Sequence, residues 1–141
     1  MADNDFNDIK KVLTENNIGV LSTASKDGKT EAATIEFVFD GKDVYFTTQT
    51  TTRKYKNIKE NPQGSLVISK VPDNVQIDGI IQELGESDKD IIAQLMTSNL
   101  GQSPSFYKEN EKWKFFRFTP KEIRSSHYPK KPSRFEKFEE R

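Results

Sequence analysis

The sequence predicts a mainly β fold in which six strands with flanking helices curl into a small closed or split barrel. Three observations carry that prediction. Short apolar runs of period two recur along the chain, turn signals separate them, and segments of helical spacing are few and short. Closure also removes sheet edges, which suits a chain whose hydrophobic content is only 33% and rests largely on 10 Phe and 4 Tyr. A core so thin in aliphatic residues also suits completion by a second subunit, so a homodimer is expected.

The elements follow in order. Ile9, Val12 and Leu13 recur with Phe6 at helical spacing behind the candidate caps Asp3, Asn4 and Asp5, and Asn16-Asn17 offers a left-handed stop. IGVLSTA (18–24) reads as a strand, and Asp27-Gly28 signals a hairpin into EAATIEFVF. A second turn at Asp40-Gly41 leads to DVYFTT, completing a three-strand meander. Thr51-Thr52 is a helix N-cap, Tyr55 and Ile58 share a face, and Asn61-Pro62 ends that helix after about two turns. SLVISKV points Leu66 and Ile68 inward, Pro72-Asp73-Asn74 turns the chain, and VQIDGIIQEL keeps Val75, Ile77 and Ile81 at period two, with Gly79 marking a bulge or a close approach. Ser87 and Asp90 are spaced as a capping box for a helix with Ile91, Ile92, Leu95 and Met96 on its apolar face. After the loop SNLGQSPS, KWKFFRFT places Trp113, Phe115 and Arg117 on one side and Phe116 and Phe118 on the other, a strand buried on much of both faces. Length fits one core, taken as residues 1–128, with 129–141 a charged C-terminal tail packed only through Phe135 and Phe138.

Composition narrows the function. Lys plus Arg and Asp plus Glu are both 22, so no global field draws nucleic acid or an anionic membrane. The basic part of YPKKPSR is offset by Glu136, Glu139 and Glu140. With no Cys, disulfides, thiolate metal sites and a Cys nucleophile are excluded; the single His127, in SSHYP, reads as a surface or packing residue rather than a metal or heme ligand. No apolar run approaches a membrane span and MADNDFND lacks the design of a signal peptide, so the cytoplasm is the expected location.

One window concentrates polar chemistry: TTQTTTRKYKNIKENPQGSLVI (47–68), where a strand ends and a helix begins. A helix start offers unpaired N–H groups and a partial positive charge, and Thr52, Arg53 and Lys54 add a hydroxyl, a guanidinium and an ammonium. The same residues serve equally as an ordinary capped helix with solvated cations.

That window follows VYFTT, and the order of segments resembles the pyridoxamine 5'-phosphate oxidase-like flavoproteins, an FMN-binding split-barrel family. The resemblance runs from Ile18 to Tyr128 through IGVLSTASKDGKTEAATIEFVFDGKDVYFTT, TTRKYKNIKENPQGSLVI, NVQIDGIIQEL and WKFFRFTPKEI. It implies a six-stranded antiparallel Greek-key split β-barrel binding FMN at a dimer interface. It further implies that Arg53 and Lys54, with Thr52, hold the phosphate; that Thr47 and Thr48 meet the ribityl-phosphate part; that the backbone of Thr34, Ile35 and Glu36 lies along the ring edge; and that Asn74 stands where relatives carry a Gln reaching a flavin. Oxidoreductase activity on a small substrate is implied, with the flavin carrying the chemistry and no side chain needed as acid or base; Glu36 and Tyr45 are the side chains weighed for such work and set aside.

The sequence also departs from true pyridoxamine phosphate oxidases. Ala32 replaces an Arg, Phe37 replaces a substrate-phosphate Lys, and only Asn99 and Gly101 stand near the position of an Arg-x-His pair. The resemblance is therefore to a shorter relative, such as the general stress protein type or a flavin reductase-like member. A deazaflavin (F420) reductase, a non-catalytic flavin store or sensor, and a stress protein that has lost its cofactor are the alternatives.

Overall fold

Hydrophobic alternation in the chain becomes a barrel with one incomplete seam. The computed structural model describes residues 3–70, 73–100, 112–127 and 134–137. In order, these are α1 (Asp3–Glu15), β1 (Ile18–Ala24), β2 (Thr30–Phe39), β3 (Val44–Gln49), α2 (Arg53–Glu60), β4 (Gln63–Lys70), β5 (Asp73–Glu83), α3 (Glu86–Leu100), β6 (Trp113–His127) and β7 (Arg134–Lys137). Strands neighbour one another in the order β3-β2-β1-β4-β5-β6-β7, and β3 also pairs with β6, closing the first six into an antiparallel barrel. The order 3-2-1-4 is that of a Greek key, the crossover from β3 to β4 carrying α2.

Inward residues of alternating parity fill the barrel: Leu21, Ile35, Phe37, Phe46, Leu66, Ile77, Phe116 and Phe118 are buried together, with Phe46 and Phe116 stacked at 5.3 Å between centroids. Ile9 and Leu13 of α1 and Ile58 of α2 join this core. A second cluster lies outside the barrel, where α3 covers Val38, Tyr45 and Phe115 with Ile92, Ala93 and Met96. The expectation that β6 is buried on both faces therefore holds, and Phe115 is core.

Several local expectations change. No described non-glycine residue has positive φ, so Asn16-Asn17 is not a left-handed stop; instead the Asn16 side-chain amide donates to the Val12 carbonyl at 2.7 Å and caps α1. α3 begins at Glu86, which puts Ser87 inside the helix rather than at its cap. Ile91 is 69% exposed, because the buried stripe of α3 is set by Ile92, Ala93 and Met96. α3 continues through Leu100, past the SNL of the expected loop. Arg134–Lys137 of the tail pair with β6 beside its far half. The side chains of Phe6, Asn99, His127 and Phe135, together with Pro72, residues 101–111 and Phe138, lie outside the described residues.

Gly79 meets both of its expectations. The β5–β6 register shifts between Asp78 and Gly79, and a Cβ at Gly79 would come within 2.4 Å of the Thr119 carbonyl oxygen. The register skips Lys121, so the extra residue lies on β6 next to Pro120, which has no N–H to donate, and the irregularity falls where the ladder is already one donor short.

Candidate functional site

The β2–β3 ladder stops early. It pairs Phe39 with Val44, Val38 with Tyr45 and Phe37 with Phe46, after which β3 continues along β6 alone, from Thr47↔Phe115 to Gln49↔Trp113. β2 meanwhile stays on β1, from Glu36↔Ile18 to Thr30↔Ala24. Between Thr34–Glu36 on one bank and Thr47–Gln49 on the other, the barrel is split.

Backbone direction follows from the hydrogen bonds. The Phe37 N–H donates to the Asn17 carbonyl on the β1 side at 2.8 Å, and alternate residues of an antiparallel strand turn their polar groups to opposite edges. Ile35 therefore spends its N–H and C=O on Gly19, whereas Thr34 and the Glu36 N–H turn toward the split, the Glu36 carbonyl being taken by the Thr47 N–H that flanks the Phe37↔Phe46 pair. On the other bank, the Thr50 N–H donates to the Lys112 carbonyl at 2.9 Å, so Thr48 faces β6 and Thr47 faces the split. Ile35 contributes a buried side chain that backs the split rather than lining it. The side chains of Thr34 and Glu36 are exposed on the outer face.

One end of the split is closed by the start of α2. Thr52 is its N-cap: the hydroxyl oxygen accepts from the Tyr55 N–H at 3.1 Å, and its proton goes to the Gln49 carbonyl at 2.9 Å. Because that single proton is committed, the 3.1 Å contact between the Thr48 and Thr52 hydroxyls is donated by Thr48. Both hydroxyls are thus turned into the protein, and their work is to fix where the helix starts. The Lys56 N–H is also used, donating to the Thr52 carbonyl at 3.3 Å. The open donors of the first turn are then the N–H groups of Arg53 and Lys54, the two residues that carry the cations.

A buried hydrogen bond from Asn57 Nδ2 to Thr23 Oγ1, at 3.2 Å, holds α2 on the barrel, and Tyr55 meets the edge of Phe116 at 6.0 Å. Arg53 is exposed and its Nε lies 3.7 Å from a Glu31 carboxylate oxygen. Burial pushes the Lys54 ammonium below the ordinary lysine value, and Glu31 opposes that shift. Glu31 was not singled out from the sequence. It shares the inward parity of Ile35 and Phe37, and an acid on an apolar parity was the available signal.

Eight of the nine residues implicated by sequence come together here: Thr34, Ile35, Glu36, Thr47, Thr48, Thr52, Arg53 and Lys54. Asn74 does not. It sits on β5 opposite Ser69 and Ser126, on the far side of β1 and β4. Tyr45 is remote as well; its hydroxyl donates to Asp40 at 3.0 Å, its ring packs under α3, and burial raises its pKa. An open groove of about 630 Å³ over β1, β4, β5 and β6, lined by Ser22, Ser65, Asp78, Lys121 and Arg124 among others, shares no residue with the split.

Fold and site together define a split-barrel protein whose candidate site is an unfinished strand seam closed by a cationic helix start. The chain belongs to the pyridoxamine 5'-phosphate oxidase family, whose model matches residues 7–127. No curated protein matches the sequence. Among solved structures, the chain is similar to a protein related to general stress protein 26 from Clostridium acetobutylicum, with TM-score 0.78, 16% identity, and coverage of 98% of this chain and 97% of that one. It is similar to HutZ, a heme storage protein from Vibrio cholerae, with TM-score 0.69, 17% identity, and coverage of 82% and 89%. An F420 reductase gives TM-score 0.67, 19% identity, and coverage of 81% and 94%. At these identities the likeness is one of fold.

Proposed function

We propose that this chain is a cytoplasmic, homodimeric flavoprotein that binds FMN in the β2–β3 split and acts as an oxidoreductase on a small substrate other than pyridoxamine phosphate. The observation that carries the proposal is the coincidence, at one end of the split, of two open backbone N–H groups with the Arg53 and Lys54 cations. FMN demands a dianion seat at one end and a flat slot with a few donors and acceptors at the other. The donor set supports that fit, since the banks of the split offer main-chain groups of Thr34, Glu36 and Thr47 between the ring end and the phosphate end.

Arg53 and Lys54 would hold the phosphate, and Thr52, with Thr48 behind it, would keep their amides aimed. Thr34 and Glu36 would read the ring edge through backbone groups, with Ile35 as the wall behind them. Bound FMN supplies the hydride or electron transfer. The protein contributes binding and orientation, because Glu36 projects into solvent and Tyr45 is committed elsewhere.

A second copy supplies what one chain lacks. Ile18, Val20 and Ile80 are exposed on the outer face of β1, β4 and β5, at 56%, 41% and 39%, and Asn74 shares that face. Covering this face with a partner buries the apolar residues and is the route by which Asn74 reaches a split, that of the other subunit.

A deazaflavin of the F420 kind presents the same phosphate-and-ring chemistry and is the alternative cofactor. Purified protein should be yellow, dimeric, and release FMN on denaturation, identified by mass spectrometry. A deazaflavin mass, a heme absorbance band, or a colourless protein that ignores added FMN would overturn the assignment. A flavin-loaded protein inert with NAD(P)H and any acceptor would be a store or sensor instead.

A further inference from the structure

We infer that Glu31 is an internal rival of the phosphate: its carboxylate and an incoming phosphate monoester compete for the same two cations, so that the seat holds its ligand loosely and exchanges it. The inference rests on the phosphate seat proposed above and concerns how tightly that seat binds.

The geometry singles out Glu31. Its register partner on β1 is Thr23, the same residue that receives the Asn57 hydrogen bond from α2, so strand and helix are fixed to each other at the level of this carboxylate. The 3.7 Å separation from Arg53 Nε is an ion pair longer than a hydrogen bond, and the Arg53 side chain is 68% exposed and free to rotate. Glu31 is more enclosed, at 26%, and the β1 ladder pins its backbone, so it remains near the seat after Arg53 turns to another anion. Position 32 carries Ala and adds no third cation. Two cations and one carboxylate leave a formal charge of +1 to meet a phosphate monoester of about −2. Every approach of the phosphate therefore meets a like charge as well as the two favourable ones. The penalty scales with ligand charge and vanishes for riboflavin, which has no phosphate.

The test titrates FMN and riboflavin into the full-length wild type, Glu31→Gln, Arg53→Ala and the Glu31→Gln/Arg53→Ala double variant, with inorganic phosphate followed in parallel by thermal shift. Glu31→Gln keeps the shape of the side chain, and Glu31→Ala serves as a second neutral variant if the first folds poorly. Glu31→Gln is expected to bind FMN about tenfold tighter at low ionic strength. Riboflavin affinity should stay the same, the gain should shrink as salt is added, and it should be smaller in the Arg53→Ala background. Wild type that binds FMN while both neutral variants bind it no tighter overturns the inference and leaves the FMN assignment standing. Indifference to FMN in all variants, with phosphate stabilising Glu31→Gln more than wild type, upholds the rivalry and removes the FMN assignment. If neither FMN nor phosphate acts on any variant, both fall.

Discussion

The two seams of β2–β3 and β5–β6 lie in one barrel and are built to opposite ends. β5 and β6 stay paired from Asp73↔His127 to Glu83↔Phe116, accommodating a bulge of β6 opposite Gly79 without parting. β2 and β3 part after Phe37↔Phe46, leaving polar backbone edges facing one another. A continuous ladder satisfies its own donors and acceptors and supplies stability; an interrupted one leaves them for a ligand. In the function proposed here stability and binding fall to different seams, and substitutions should separate them.

The largest effect is expected in the closed seam. Gly79→Ala drives a Cβ against the Thr119 carbonyl and the Phe118 ring, both within 3 Å, and should cost about 3 kcal/mol, read as a melting temperature lowered by about 10 °C. Ligand affinity of the fraction still folded should be little changed. The open seam should respond in the converse way: Arg53→Ala with Lys54→Ala is expected to weaken FMN binding about a hundredfold with a nearly unchanged melting temperature, since each residue removes one charged contact. Equal loss of stability and affinity in either variant would erase the distinction between seams.

The hinge between the two properties is the seating of α2. Asn57→Ala removes the buried bond to Thr23 and should cost about 1 to 2 kcal/mol in denaturant unfolding while also weakening FMN. Thr52→Ala should cost about 1 kcal/mol through the lost cap, and Thr52→Ser should restore both stability and binding.

The smallest effect concerns pH. Burial lowers the Lys54 pKa in the folded protein, so the unfolded chain binds more protons there, and stability conferred at this site rises as pH increases toward the unfolded lysine value. Half exposure makes the term weak. Relative to Lys54→Met, ligand-free wild type should therefore gain slightly in melting temperature between about pH 8 and pH 10; a relative loss would reverse the assigned sign.

Much of this was legible in one dimension because it depends on local rules. Period-two runs set strand parity, Asp27-Gly28 and Asp40-Gly41 set turns whose glycines have φ of +89° and +98°, and Thr52 sits where an N-cap hydroxyl is required. The order of segments also sets Thr34–Glu36 and Thr47–Gln49 on successive strands. What escaped depends on pairing between distant segments. Asn16 caps by its side chain, β6 extends to His127, and β7 adds to its edge. Glu31 meets Arg53 only after β1, β2 and α2 have assembled. Asn74 illustrates the same limit, because only the assembled β4–β5–β6 ladders set it opposite Ser69 and Ser126, away from the split.

Backbone amide NMR during FMN addition tests the central claim most directly, since it reports on the N–H groups invoked here. The account predicts that the largest shifts fall on Arg53, Lys54 and the β2 residues Thr34 and Glu36. Shifts centred instead on the groove of Ser65, Asp78 and Arg124, with the start of α2 silent, would contradict it.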